Sequence, residues 1–246
     1  MYRLMQPSDR AAVVALWQKE RGDTAEFINT AMDRFAGEQN VYVAEENGQI
    51  EAAALAVPVM LQGRPGNYLF GLCGQGSLIL AGLVDTLCAQ QKLRGAGFTV
   101  AAPTSPERAA LLQDKGFQKA FALRCLPREV ERNLWSQAEF DSVTAKKLCE
   151  LRERFWPDTV MLTPEKMAED TLYFVELMAE DDRSAEKLME AAREKEVIVE
   201  KAVITVGAAQ NLFLGEGTRQ DYGMIRFEGE PFDVSESYMR LMLENG

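Results

Sequence analysis

The stretch VYVAEENGQIEAAALAVPVML, residues 41–61, surrounds an Asn-Gly pair with residues typical of β-strands. Val41–Glu45 predicts one strand and Ile50–Leu61 a returning strand. Asn47-Gly48 predicts the tight turn between them, because these residue types accept the positive φ angles of such a turn. Pro58 has no amide hydrogen, which indicates an edge position or a bulge. We therefore expect a β-hairpin here, with the rest of the fold built around it.

The pattern on both sides of the hairpin alternates between helix and strand. Two helices are predicted before it, one beginning at an N-cap Ser8 and one over Thr24–Phe35 that ends at Gly37. The segments predicted after it, following a turn over residues 63–66, are strand Tyr68–Cys73, helix Ser77–Leu93, strand Phe98–Ala102, a helix capped by Ser105 and strand Phe117–Arg124. This order predicts an α/β (α+β) fold with a mixed sheet.

The composition excludes several classes of chemistry. The chain of 246 residues contains no histidine, which excludes Ser-His and Cys-His nucleophiles and His-ligated zinc. Its four cysteines form no CxxC pair, and we predict no metal site. No secretory leader and no apolar stretch near ~20 residues is present, so we expect a cytoplasmic protein with reduced thiols and no membrane partner.

The charge is distributed unevenly along the chain. Residues 1–125 carry 12 Lys+Arg and 12 Asp+Glu, which leaves 15 and 26 of the totals of 27 and 38 for residues 126–246. The change next to Pro127 predicts two domains, residues 1–127 and 128–246. Clustered basic residues are absent, so we expect no nucleic-acid partner. The acidic half either attracts a cationic amine or peptide or supplies solubility charge.

The second half predicts further alternation of helices and strands. The predicted segments are an amphipathic helix over Val143–Phe155, a helix capped at Thr163, strand Leu172–Met178, helix Ser184–Lys195, strands Val197–Val199, Ala202–Val206 and Tyr222–Phe227, and a short helix from Ser235.

In addition to these patterns, particular residues of the chain resemble those of a known family. The opening Met5–Asp9, the segment Ala102–Glu107 and the Gly116-Phe117 that closes its helix resemble the GCN5-related N-acetyltransferases. Tyr222–Ile225 and Tyr238–Glu244 resemble the tail of a subgroup in which a truncated second acetyltransferase-like unit follows the first. The resemblance implies a mostly antiparallel sheet with a splayed parallel pair flanked by helices, followed by a smaller α/β unit. It also implies acetyl transfer from acetyl-CoA to a primary amine of a small molecule or peptide.

The resemblance also implies where the cofactor binds. The pyrophosphate is expected on free backbone N–H groups at a helix N-terminus, and a strand N–H is expected to polarise the thioester carbonyl. The cofactor-binding residues implied in this way are Leu72, Cys73, Gln75, Gly76, Ser77 and Ser105. Leu78 and Leu80 stand where the family has small residues, so the cofactor turn is degenerate.

The residues leave the function open. Leu112 occupies the position of the family's proton-donating tyrosine, so no catalytic residue is assigned. The candidates that could donate the proton instead are Tyr68, Cys73, Tyr222 and Tyr238. One hypothesis is an N-acetyltransferase that uses a water-assisted base. Another is a catalytically inactive binding or interaction module whose crevice is filled by Leu78 and Leu80. A third is a thiol acyl carrier that uses Cys73. The sequence does not indicate the oligomeric state.

Overall fold

The structure is a computed structural model that describes residues 1–129, 171–174, 176–195 and 201–240. The helices predicted at residues 143–155 and after Thr163, and the strand predicted at residues 197–199, lie outside the described residues. The chain divides into two compact units. The first consists of Met1–Lys119 and Gly223–Phe232, and the second of Ala120–Tyr222 and Asp233–Gly246. The domain division at 127/128 stays a prediction.

The first unit contains the strands and helices of residues 1–119 and the end of a strand that comes much later in the chain. Its strands are β1 (Tyr2–Leu4), β2 (Val41–Glu46), β3 (Gln49–Leu61), β4 (Arg64–Gly74), β5 (Phe98–Ala101) and the second half of β9 (Thr218–Phe227). Its helices are α1 (Arg10–Arg21), α2 (Ala25–Thr30), which a π-helical turn extends to Ala36, α3 (Ser77–Leu93) and α4 (Pro106–Asp114).

The strands of the first unit form one mixed sheet in the order β1-β2-β3-β4-β5-β9. All neighbouring pairs are antiparallel except β4 and β5, which run parallel. The predicted hairpin is confirmed, with positive φ angles at Asn47 (52°) and Gly48 (80°). Pro58 lies beyond Leu55, the last residue of β3 that pairs with β2, so its edge position is confirmed.

The start of β4 differs from the prediction. The sequence predicts a turn over residues 63–66, but the chain turns at Gln62-Gly63 and β4 begins at Arg64. Pro65 is compatible with this strand because its carbonyl oxygen accepts a hydrogen bond from the Gly97 N–H at 2.9 Å. A proline lacks only the donor, so it can still use its acceptor within a sheet.

The helices mostly begin and end where the capping residues indicate. Helix α3 has the predicted bounds, and the hydroxyl oxygens of Thr24 and Ser105 accept hydrogen bonds from backbone N–H groups in the first turns of α2 and α4. The prediction at Ser8 is wrong because a short 3-10 turn, Pro7–Asp9, precedes α1.

The core of the first unit lies on both faces of its sheet. On the face covered by α3 and α4, the buried residues include Ala54, Leu69, Leu83 and Leu112. Trp17 of α1 contacts Phe70 of β4 edge-on, with ring centroids 5.4 Å apart. These two layers of burial fix β4, the strand that reaches the candidate site.

The second unit has its own strands and core. Its described elements include β6 (Gln118–Glu129), which starts in the first unit, β7 (Thr171–Phe174), α5 (Asp182–Lys195), β8 (Lys201–Gly207) and the first half of β9. Strand β8 pairs antiparallel with β6 and parallel with β7. The core contains Leu126, Ala185, Ile204 and Phe213.

The predicted C-terminal helix is wrong where the structure can test it. Residues 235–240 form a turn followed by irregular chain rather than a helix. Among the helices of the described residues, none has the length and apolar content needed to cross a membrane.

Candidate functional site

The two parallel strands of the first unit separate near their carboxyl ends. Strands β4 and β5 pair only over Asn67–Leu69 and Thr99–Ala101. Strand β5 ends at Ala101, whereas β4 continues to Gly74. The last residues of β4 therefore lack a neighbour on this side among the described strands, and the sheet opens there. Ligands in sheets of this kind bind at the carboxyl ends of strands, where neighbouring connections diverge.

A bulge in β4 accompanies the opening. The register of β4 with β3 shifts between Phe70 and Cys73, where β4 has one residue more than its partner. Gly71 lies in this bulge with a φ angle of 62°, a conformation that favours glycine. Beyond the bulge, Cys73 and Gly74 pair again with β3 while β5 has already ended, and the predicted splay of the parallel pair is thus confirmed.

The turn from β4 into α3 exposes backbone donors. Gly76 is the N-cap of α3 with a φ angle of 83°, and as a glycine it has no side chain with which to cap the helix. The first N–H groups of a helix have no partner inside the helix, and the helix dipole makes this end attractive to anions. The open end of the sheet therefore lies beside a helix terminus suited to a negatively charged group.

A cavity of about 730 Å³ adjoins this terminus. The cavity is lined by the β4–α3 turn, by the first turns of α3 and by one side of α4 along its length. The lining residues are Gly74, Gly76, Ser77, Leu78, Leu80, Ala81, Glu107, Arg108, Ala110, Leu111, Asp114 and Lys115. Its volume falls within the roughly 300–1,000 Å³ typical of small-molecule and cofactor sites.

The two leucines of the turn do not fill this cavity. The side chain of Leu78 is directed to solvent, with 84% of the residue exposed. Leu80 is 3% exposed and packs in the core between α3 and the sheet. The prediction that both leucines fill the crevice between β4 and β5 is therefore wrong for Leu78, whereas Leu80 is buried in one cluster with Leu69 of β4 and Ala101 of β5.

Charged residues of α4 line the cavity. Arg108 donates a hydrogen bond to the carbonyl oxygen of Gly74 at 3.2 Å and forms an ion pair with Glu20 of α1 at 2.5 Å. Lys115, just after α4, forms an ion pair with Asp85 of α3 at 2.6 Å. The cavity thus has a cation near each end of the helix that borders it, each next to a carboxylate of the same lining, Glu107 or Asp114.

The predicted cofactor residues lie at different positions around this cavity. Gly76 and Ser77 line it, and Gln75 is exposed in the adjoining turn. Leu72 packs against the core in part, and Cys73 is fully buried. Ser105 accepts a hydrogen bond from the Arg108 N–H at 3.2 Å, so it acts as the cap of α4. Their assignment to a cofactor stays a prediction.

The sequence patterns missed Glu20, Arg108 and Lys115. Arg108 and Lys115 are seven residues apart, a spacing that places both on one face of a helix and that could have suggested them. Glu20 had no such signal, because its contact with the Gly74 N–H joins residues 54 positions apart.

Two of the residues considered for proton transfer, Tyr68 and Cys73, are buried away from solvent. Leu112 is 2% exposed in the core, and Tyr68 is fully buried and stacked against Phe70. Burial raises the pKa of the Cys73 thiol to about 12, which disfavours the thiolate that an acyl carrier needs. Among the described residues, no cluster of His, Cys, Asp and Glu side chains is arranged to hold a metal.

This sheet, with its parallel pair opened beside a helix N-terminus, is the fold of the GCN5-related N-acetyltransferases. The similar structures include a probable N-acyltransferase from Enterococcus faecalis V583, with a TM-score of 0.74 and 11% identity over 96% of this chain and 72% of that one. A GCN5-related N-acetyltransferase from Kribbella flavida has a TM-score of 0.71 and 12% identity, covering 92% and 70% of the two chains. One from Anabaena variabilis ATCC 29413 has a TM-score of 0.69 and 10% identity, covering 93% and 73%. No family model and no curated protein matches the sequence.

Proposed function

We propose that this protein is an acetyl-CoA-dependent N-acetyltransferase that acts on a primary amine of a small molecule or peptide. The observation that carries the proposal is the cavity of about 730 Å³ where β4 separates from β5 beside the uncapped N-terminus of α3. A diphosphate ester needs donors and positive charge, and this cavity offers backbone N–H groups together with Arg108 and Lys115.

In this proposal each group of the site has a defined task. The backbone of Gly76 and Ser77 binds the diphosphate, and the cofactor supplies an activated acetyl thioester. A main-chain N–H of Leu72 or Cys73 polarises the carbonyl oxygen, since a fixed donor stabilises the charge that develops there. A water-assisted base removes the amine proton. Gln75 and Ser105 are assigned to the same site. We place the reaction in the cytoplasm, in keeping with the free thiols of Cys73, Cys88 and Cys125.

Thermal unfolding with and without acetyl-CoA tests this proposal. A ligand that binds only the folded state adds about 2.7 kcal/mol at a hundredfold excess over its dissociation constant, so the melting temperature should rise. Release of free CoA in the presence of a panel of primary amines should then report transfer.

A cavity-filling variant supplies the control. Ala110 lines the cavity and is exposed, so Ala110→Trp should abolish the acetyl-CoA shift without disturbing the core. Ala12, exposed on α1, provides the matched surface variant Ala12→Trp, which should retain the shift. Failure of millimolar acetyl-CoA to shift the unmodified protein would refute the proposal.

A second candidate function is a binding or interaction module with this fold and no catalysis. The observation that favours it is Leu112, which is buried in the core where the resemblance places the proton donor. This candidate predicts an acetyl-CoA shift without release of CoA for any amine in the panel. Binding and turnover therefore distinguish the two functions.

A further inference from the structure

The β4–α3 turn is contacted by a cation from another part of the chain. From Pro65 to Gln91 the sequence has no lysine and no arginine, so the turn cannot supply its own positive charge. Arg108 reaches it from α4, where its Nη2 donates to the carbonyl oxygen of Gly74 at 3.2 Å. Arg108 can therefore give an anion held at this turn a charge-assisted hydrogen bond that the turn's own side chains cannot supply.

The same guanidinium has an anionic partner within the protein. Nη2 of Arg108 also donates to Oε1 of Glu20 at 2.5 Å, and Oε2 of Glu20 accepts from the Gly74 N–H at 2.5 Å. The side chains of Arg108 and Glu20 are 18% and 31% exposed, so both remain accessible to solvent. Glu20 thus occupies one donor of Arg108 at the edge of the cavity.

The rest of the guanidinium has no hydrogen-bond partner within the described part of the chain. Nε and Nη1 of Arg108 make no hydrogen bond to the residues that the structure describes, while the side chain lines the cavity. Arginine presents five N–H donors in a planar fork that matches two oxygens of a phosphate. Arg108 therefore has donors to spare for an anion in the cavity.

We propose that Arg108 is an anion-binding residue of this cavity, and that Glu20 competes with the diphosphate of the ligand for its guanidinium. This inference rests on the proposed function, because it assumes a nucleotide thioester as the ligand. Binding of the diphosphate weakens the Arg108–Glu20 ion pair, because one guanidinium is shared by two acceptors of negative charge. In the unliganded protein the ion pair with Glu20 thus holds Arg108 in place, but it lowers the affinity of the cavity for the diphosphate.

The competition predicts opposite effects for the two partners. Arg108→Gln removes the charge that binds the diphosphate and should weaken CoA binding roughly tenfold, a typical loss for a charge-assisted hydrogen bond. Glu20→Gln removes the competing charge but keeps an oxygen that can accept from the Gly74 N–H. It should tighten CoA binding by about threefold to tenfold, since Arg108 no longer gives up an ion pair.

Isothermal titration of CoA into the full chain and its variants tests the inference. In the Arg108→Gln background, Glu20→Gln should have no further effect on the dissociation constant, because its influence runs through Arg108. Arg34→Gln and Glu26→Gln change the same charges at exposed positions and should leave binding unchanged. Arg108→Lys, which keeps the charge without the fork, should bind with intermediate affinity.

The outcomes separate this inference from the proposed function. If the unmodified protein does not bind CoA, the proposed function fails and this inference fails with it. If it binds CoA but Glu20→Gln weakens binding or leaves it unchanged, the competition is refuted while the proposed function stands. Unfolding curves of each variant without ligand identify any loss of affinity that comes from a damaged fold.

Discussion

The indole of Trp17 lies directly over the backbone of Gly71. A Cβ atom added at Gly71 would come within 2.1 Å of the Trp17 ring, and the residue has a φ angle of 62°. Gly71 belongs to the bulge that turns the end of β4, and Trp17 is fully buried in α1. The shape of the candidate site thus depends on a close approach between one helix and one strand.

Gly71→Ala should destabilise the protein by about 3 kcal/mol or more, because backbone strain adds to a clash with a buried ring. Urea unfolding followed by tryptophan fluorescence measures the loss. Gly63→Ala is the matched control, since its φ angle of 70° is similar but nothing lies within 4 Å of an added Cβ. The control should lose only about 1 kcal/mol. Equal losses would show that the contact with Trp17 contributes nothing.

Arg124 holds a loop of the second unit through its backbone. Its guanidinium is buried and donates to the carbonyl oxygens of Gln210, at 2.6 Å, Leu212, at 3.1 Å, and Glu216. Arg124→Gln should lower the free energy of unfolding by about 3 kcal/mol, because buried acceptors lose a charged donor. Chemical denaturation measures the change.

Arg128 provides the comparison on the same strand. Its side chain is 37% exposed and pairs with Glu216 at 2.8 Å. Arg128→Gln should cost less than about 1 kcal/mol, as expected of a solvated ion pair. Hydrogen exchange of the amides between residues 207 and 217 should accelerate in the Arg124 variant and not in the Arg128 variant. The reverse order would contradict the role given to Arg124.

The features that the sequence predicted well are those encoded by neighbouring residues. The hairpin around Asn47-Gly48, the bounds of α3 and the cap at Ser105 each depend on a few adjacent side chains, and the structure confirms them. Pro65 and Gly66 suggested a turn, but the partners of β4 on both sides keep them within a strand. Local propensity is overruled there by pairing with segments distant in sequence.

The site itself was predicted only in part, because distant segments assemble it. The turn Gly74–Gly76 is visible in the sequence, whereas the ion pair between Glu20 and Arg108 joins residues 88 positions apart. Likewise, nothing in the pattern of Gly223–Phe227 indicates that Met224–Phe227 pair with β5 in the first unit. Such contacts follow from the packed fold rather than from local periodicity.

Asp9 should make the stability of the first unit depend on acidic pH. A hydrogen bond from Arg3, at 2.5 Å, holds the pKa of the Asp9 carboxyl below its usual value, and the Gln6 N–H adds a second donor. Because the folded pKa lies below the unfolded one, the stabilisation is present above the unfolded pKa of about 3.9 and is lost as the pH falls through the folded value.

Asp9→Asn should therefore be less stable than the unmodified protein at pH 7, and the difference should shrink as the pH is lowered from about 5 to about 2. Urea unfolding at a series of pH values measures it. Glu46→Gln, which removes an exposed carboxylate next to the hairpin turn, is the control and should change the stability only slightly at pH 7. A difference for Asp9→Asn that does not vary with pH would refute the linkage.

The cysteines should differ sharply in reactivity. Cys73 and Cys88 are fully buried, and burial raises the pKa of each thiol to about 12, whereas Cys125 is partly exposed. In a Cys149→Ser variant at pH 8, a thiol reagent should modify Cys125 quickly in the folded protein, because the reagent can reach its partly exposed sulfur. Cys73 and Cys88 should react only as the protein unfolds. Removing Cys125 as well should abolish the fast phase, and in urea the two remaining thiols should both react. Fast modification of Cys73 in the folded state would instead support the hypothesis of a thiol acyl carrier, which the burial of Cys73 disfavours.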